Sequence, residues 1–424
     1  MRMMRRSDVS SLRRSVDQGT EEQRQAVQDI IQQVKQNGDQ AVQTYTKQFD
    51  GADIENWRVT KTELSEAYTS MDQDYRTILE EAAANIRNFH EKQQTVSWFD
   101  AKDNGTILGQ KVTSIDAAGI YVPGGTAAYP SSVLMNVIPA QVAGVDRVVM
   151  VTPPDKEGSI PAGVLAAAHM LGIDQVYKAG GAQAIAALAY GTETLAPVDK
   201  ITGPGNVYVA LAKREVFGDV DIDMIAGPSE IAILADHTAK AAELAADLLS
   251  QAEHDARSSS ILVTTDETLA EEVRTEVYAQ LRSLPRYQIA KSSVEDYGAI
   301  IVCDTKAEAL DTVNEIAAEH LEIVTVDPFQ DMAKVKHAGA IFLGPYSSEP
   351  VGDYYAGPNH VLPTNGTARF SSPLTVDDFV KKSSVISYSE QALQQHAEKI
   401  AQFARLEGLE AHARAIETRK ERWK

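Results

Sequence analysis

The 424-residue sequence has a single cysteine, Cys303. That excludes intrachain disulfides and any zinc finger built on cysteine. No apolar run approaches the ~18 residues of a membrane helix. Basic residues are the minority: 40 Lys plus Arg stand against 60 Asp plus Glu, a net charge of −20. Without a basic stripe, such a chain is a poor partner for nucleic acid. Met1 to Ser7 carries charge with no apolar core behind it, which is not the pattern of a secretory signal. Two nucleotide fingerprints are also missing: no G-x-G-x-x-G and no G-K-[ST] occurs. These absences leave a soluble protein, expected in the cytoplasm.

What is present supports a packed core, with 43% hydrophobic and 24% charged residues. At about 150 residues per domain the length predicts two to three domains. The first ninety residues read as helical. Thr20 opens a run whose Val27, Ile30, Ile31 and Val34 share one helix face, and Gly38-Asp39 punctuates it. Ile78, Ala82, Ile86 and Phe89 form a second stripe. From about residue 118, short apolar runs such as Val148–Val151 and Ile231–Leu234 alternate with Ala-rich helical windows such as Ala162–Leu171 and Ala182–Tyr190. That alternation predicts parallel βαβ units. Val351 to Arg369 is rich in Gly, Pro and Asn and reads as a functional loop. Residues 389–420 are helical and charged, with too few apolar positions to fold alone, so they are expected to pack on something else.

Several residues are candidates for chemistry. His90, His237, His337 and His396 have polar neighbours and read as surface histidines; His169, in an apolar helix, reads as core. Gln251 and His254 end a helix three residues apart, on one face. That spacing is compatible with a metal site, but Gln is a rare ligand and helix-end histidines more often cap helix carbonyls. Glu319-His320 precedes an apolar strand expected at Glu322–Val326, and imidazole has the pKa for proton transfer near neutrality. Asp353 and His360 share the Gly/Pro/Asn loop, and Glu407 and His412 sit on the C-terminal helix. Four glycine segments permit close approach to a ligand: Val122–Thr126, Ala179–Gln183, Gly203–Asn206 and Ala226–Glu230. Cys303 lies on an expected buried strand and reads as core.

Taken together, these runs resemble the histidinol dehydrogenase family. The carrying segments are Gly119–Gly125, Gly180–Ala187, Lys200–Asn206, Ala226–Glu230, Ser250–His254, Ala318–Leu321, Gly352-Asp353 and Asn359–Pro363. They follow the family's order from about residue 20 to 415.

The resemblance implies oxidation of L-histidinol to L-histidine in two NAD-dependent steps through histidinal, with one zinc per subunit. It implies zinc ligands Gln251, His254, Asp353 and His412, and Glu319 and His320 as the catalytic pair. Ser229, His360 and Glu407 would join His320 and the zinc ligands around the substrate. Tyr121, Gln183 and Asn206 would contact NAD. It implies a homodimer in which Glu407 and His412 complete the partner's site.

The implied architecture is α/β: two Rossmann-like α/β domains with small helical N- and C-terminal extensions. The expected division is a helical arm at 1–20, a first α/β domain at 21–118 with 230–372, an NAD-side domain at 119–229, and a tail at 373–424. The rival reading is a member of the same family acting on another amino or sulfonated alcohol.

Overall fold

The structure, a computed structural model, describes residues 1–12, 19–124 and 129–423. Gly125 and Thr126 of the first glycine segment, and residues 13–18 of the expected N-terminal arm, lie outside the described residues. The chain forms two compact units, Met1–Gln93 with Ile115–Phe379 and Gln94–Ser114 with Val380–Lys424.

The strands are β1 (Arg2–Arg5), β2 (Trp98–Ala101), β3 (Ile107–Ser114), β4 (Ala117–Tyr121), β5 (Arg147–Thr152), β6 (Gln175–Lys178) and β7 (Lys200–Thr202). They continue with β8 (Asp221–Ile222), β9 (Glu230–Ala235), β10 (Ser259–Thr264), β11 (Ala299–Val302), β12 (His320–Val324), β13 (Ala340–Leu343) and β14 (Val380–Ser387). The first unit contains two sheets, of order β6-β5-β4-β7-β8 and β1-β11-β10-β9-β12-β13. Every pairing in both is parallel. In one sheet the chain steps outward from β4 to β5 and β6, then returns to β7 and β8. In the other it steps from β9 to β10 and β11, then returns to β12 and β13. Each sheet therefore has a switch point, between β4 and β7 and between β9 and β12, where the strand order reverses. The α/β expectation is met.

Strands β4, β9 and β10 are buried along their whole length. Parallel strands covered on both faces need such unbroken small and apolar runs. Helix α1 (Glu21–Phe49) starts on a reciprocal Thr20–Gln23 capping box and is interrupted at Gly38, whose φ of 49° and ψ of −129° are not helical. Its Val27, Ile30, Ile31 and Val34 pack with Ile185, Leu188 and Leu211 in the core of the five-stranded sheet. Its apolar stripe is matched by the Ala-rich helix at 181–190. The expected N-terminal arm also begins differently, because Arg2–Arg5 add a parallel edge strand beside β11.

Helix α2 (Gln73–Glu91) carries His90, which is fully buried rather than exposed. It lies four residues beyond Ile86, on the same inward face, with Nδ1 donating to the Ile86 carbonyl at 2.8 Å. His169, read as core, is only half-buried and packs against the Tyr68 ring. Cys303 is buried as expected, against the Thr312 hydroxyl.

The second unit is an antiparallel sheet of order β14-β3-β2 with helices Glu390–Leu406 and Glu410–Glu417. Arg405 ties the two helices together, at 2.8 Å from both Glu410 and Glu417. Ile386, Phe403 and Leu406 are exposed on this unit. Among the described residues, no helix is long and apolar enough to cross a membrane.

Candidate active site

Two cavities of the first unit meet at Pro123, Gly124, Gly205 and Asn206. The larger, about 890 Å³, lies at the carboxyl edge of the five-stranded sheet. Its walls include Tyr121 at the end of β4 and the amino ends of helices α3 (Gly181–Tyr190) and α4 (Val207–Val216). Helix amino ends present free N–H groups and a partial positive charge, which favour an anionic ligand.

The loop after β7 is held without a fingerprint motif. Gly203 has φ +111°, and a Cβ there would lie 2.0 Å from the Tyr121 carbonyl oxygen, so only glycine fits. Lys213 and Asp223, both buried, form an ion pair beneath it. Lys213 Nζ donates to the Gly203 carbonyl at 3.0 Å, and Asp223 accepts the Gly203 and Met224 N–H groups at 2.8 and 2.6 Å.

The three expected cofactor residues line this cavity. The Tyr121 hydroxyl accepts the Gly181 N–H at 3.2 Å, and burial pushes its pKa up to about 12, so it stays neutral. Gln183 is buried, and its Oε1 has no partner among the described residues. Asn206 caps α4, accepting the Tyr208 and Val209 N–H groups at 3.0 and 3.2 Å.

The second cavity, about 480 Å³, opens at the amino edge of the six-stranded sheet. Ser229, Gln251, His254, Glu319, His320, Asp353 and His360 all line it. The strand expected at Glu322–Val326 begins instead at His320, which pairs in register with Ile231 and Ala340. The catalytic candidates are thereby fixed to the backbone of β9. Glu319 accepts the Glu230 N–H at 2.9 Å, and His320 Nδ1 donates to the Glu230 carbonyl at 3.1 Å. His320 Nε2 faces Asp353 Oδ1 at 3.3 Å. Both ring nitrogens thus meet acceptors, an arrangement that favours the protonated ring.

The electrostatics agree with that geometry. Burial works against charge on His320, but Glu319 and Asp353 outweigh it and push the imidazole up to about 10. Burial pushes Glu319 up to about 8, with His320 opposing. Burial likewise opposes charge on Asp353, yet its contacts with His320 hold it below the ordinary value. His360, whose Nδ1 donates to the Asp353 carbonyl at 3.0 Å, is lowered chiefly by burial, and so is His254.

Gln251 and His254 sit at the carboxyl end of helix α5 (Ala241–Ala252), where the helix dipole favours a cation. Gln251 is fully buried, and neither its Oε1 nor its Nε2 has a partner among the described residues. An orphaned buried amide costs about 1–3 kcal/mol, so it calls for a ligand. Oxygen from Gln251 and Asp353 with nitrogen from His254 is a donor set that suits zinc.

A second combination adjoins the cleft: His320 and Asp353, which line it, and Glu349 bring ligand atoms within 4.8 Å of one another. Glu349 was not foreseen. It is buried, accepts the Ser250 hydroxyl at 2.6 Å, and is pushed up to about 7 by burial and then by Asp353. Its setting, Ser348-Glu349-Pro350, looks like a plain loop, so no spacing marked it. The remaining expected residues, Glu407 and His412, belong to the second unit, where both are exposed beside the turn between its helices.

A buried carboxyl–imidazole pair beside a cation-favouring helix end, joined to a large cavity at a parallel-sheet switch point, defines an α/β enzyme. The histidinol dehydrogenase family model matches residues 13–420. The histidinol dehydrogenase of Bacillus licheniformis is 67% identical over 409 residues, 96% of each chain. That of Bacillus subtilis is 66% identical over 97% of this chain and 96% of its own. A crystal structure of histidinol dehydrogenase from Elizabethkingia anophelis superposes with a TM-score of 0.95 at 38% identity, covering 100% of this chain and 98% of that one. The chain belongs to the histidinol dehydrogenase family.

Proposed function

We propose that the enzyme oxidises L-histidinol to L-histidine through L-histidinal, in two NAD-linked steps, with one zinc ion per subunit. The observation that carries this reading is the orphaned Gln251 amide in the same cleft as the buried Glu319–His320 pair. Gln251, His254 and Asp353, with His412 contributed by a second copy, would hold zinc. Tyr121, Gln183 and Asn206 would contact NAD. Zinc, when bound, supplies a positive anchor for the nitrogens of the substrate. NAD, when bound, supplies the hydride acceptor in each oxidation.

The chain's own residues do the proton chemistry. His320 takes the hydroxyl proton in the first oxidation. Its Nδ1–H is committed to the Glu230 carbonyl, so Nε2 is the working nitrogen. Nε2 becomes a base when the charge of Asp353 is engaged elsewhere, as in binding a cation. Glu319 takes a proton from the water that attacks the aldehyde while protonated His320 returns its proton to the aldehyde oxygen, giving a gem-diol and restoring His320 as a base. The raised affinity of Glu319 for protons makes it a stronger base than a solvated carboxylate. His320 takes the next proton as the gem-diol is oxidised. Ser229 and His360, together with Glu407 of a second copy, would orient the substrate.

The proposed homodimer would cover the second unit's exposed Ile386, Phe403 and Leu406, apolar side chains that suit burial against another copy. A cytoplasmic enzyme is consistent with this chemistry. The test is NADH formation, followed by absorbance, with and without a chelator. We expect histidinol-dependent NADH that the chelator abolishes and zinc restores. No absorbance change at saturating histidinol, NAD and zinc overturns the reading. For the shared site, inactive His320→Ala and His412→Ala chains should regain partial activity when mixed; no recovery with subunit exchange verified overturns it.

A further inference from the structure

The acid that recognises the adenosine ribose in the usual dinucleotide fold follows the second strand of the sheet, about 20 residues past the glycine motif. Here the matching strand is β5, and the acid after it is Asp155. That side chain is already engaged: its Oδ1 accepts the Glu157 and Ser159 N–H groups at 3.0 and 2.7 Å, closing its own turn. Among the described residues the cavity wall offers one other carboxylate, Asp50. It comes from outside the sheet, as the residue that ends α1. Asp50 Oδ2 is buried with no hydrogen-bond partner among the described residues. Burial, with no compensating cation, raises its pKa to about 6. A carboxylate in that condition lacks donors, and ribose hydroxyls are donors.

The position of Asp50 fits the far end of the cofactor. The two cavities touch at Pro123, Gly124, Gly205 and Asn206, so the reacting end of a dinucleotide must sit there. The rest of the molecule extends toward residues that line the larger cavity alone, among them Phe49, Asp50 and Lys156. We propose that Asp50 accepts the 2′-hydroxyl of the adenosine ribose and, by its charge, excludes cofactors phosphorylated at that position. This rests on the reading that the larger cavity takes NAD. Lys156 lines the same wall and would favour a 2′-phosphate, so Asp50 is what tips the choice.

The experiment measures the affinity of the zinc-loaded full-length enzyme for NAD, NADP and 2′-deoxy-NAD, and of Asp50→Asn for the same three. Wild type should prefer NAD to both analogues. Asp50→Asn should bind NAD about tenfold more weakly, as expected for a lost hydrogen bond to a charged group. It should bind NADP more tightly than wild type does, and should lose its preference for NAD over 2′-deoxy-NAD. In turnover the change should fall on KM for NAD rather than on kcat. Failure of wild type to bind NAD overturns the cavity reading itself. NAD binding with an unchanged NAD-to-NADP ratio in Asp50→Asn overturns the role of Asp50 alone. If the variant does not fold, 2′-deoxy-NAD on the wild-type enzyme decides: equal affinity with NAD overturns the proposal.

Discussion

The two sheets of the first unit have the same strand order around their switch points, yet they use opposite edges. The five-stranded sheet follows the general rule that ligands bind beyond the carboxyl ends of parallel strands. Its loops after β4 and β7 and the amino ends of α3 and α4 line the larger cavity. The six-stranded sheet presents the amino ends of β9 and β12 instead, with the carboxyl end of α5 beside them. Helix dipoles then take opposite signs at the two edges, one suited to an anion and the other to a cation. Shared topology did not fix which edge works, since both sheets have helix amino ends at one edge and helix carboxyl ends at the other; the side chains gathered at each edge did. Around the cation-favouring edge are Asp353, Glu349 and Glu319; the other edge has backbone N–H groups and glycine.

If the edges are separable, damage to one should spare the other. The largest effect is expected from His320→Ala, which should lower kcat by about 10²–10⁴-fold, the range of a lost acid–base group. Its zinc content and NAD affinity should remain. A comparable loss of NAD affinity would break the comparison.

Next is Lys213→Met at the opposite edge. It strands the buried Asp223 and should destabilise the fold by about 3–5 kcal/mol, read by denaturant unfolding. KM for NAD should rise while zinc content stays unchanged; loss of zinc would show that the loop supports both edges.

The smallest effect is the most diagnostic. Gln251→Leu should weaken zinc binding, measured by titration, yet raise stability in chelator by about 1–3 kcal/mol, because it removes an unpartnered buried amide. A lower melting temperature in chelator would show that Gln251 is structurally satisfied.

Much of this was legible in the sequence because motif residues stay together locally. Gly203–Asn206, Gln251–His254 and Glu319-His320 each fall at the end or start of an element, and the apolar runs of β5 and β9 mark themselves. What was not legible depends on pairing across the chain. The edge used by β12 follows from its register with β9, which no local pattern states. Arg2–Arg5 reads as a charged terminus until β11 supplies a partner. His90 looks polar in sequence, yet its neighbours in space are Ile86 and Asn359, 269 residues further on. Glu349 and Asp50 carry no spacing signal; Glu349 is singled out by its burial beside His320 and Asp353, and Asp50 by burial without a partner for its Oδ2.

In the proposed reaction, the junction of the two cavities at Pro123, Gly124, Gly205 and Asn206 bears on the order of events. A spent carrier can depart through one chamber while the half-finished product waits in the other. Under that proposal the reactive aldehyde would not need to leave the cleft between the two oxidations, and one base would serve two rounds on a single captive molecule.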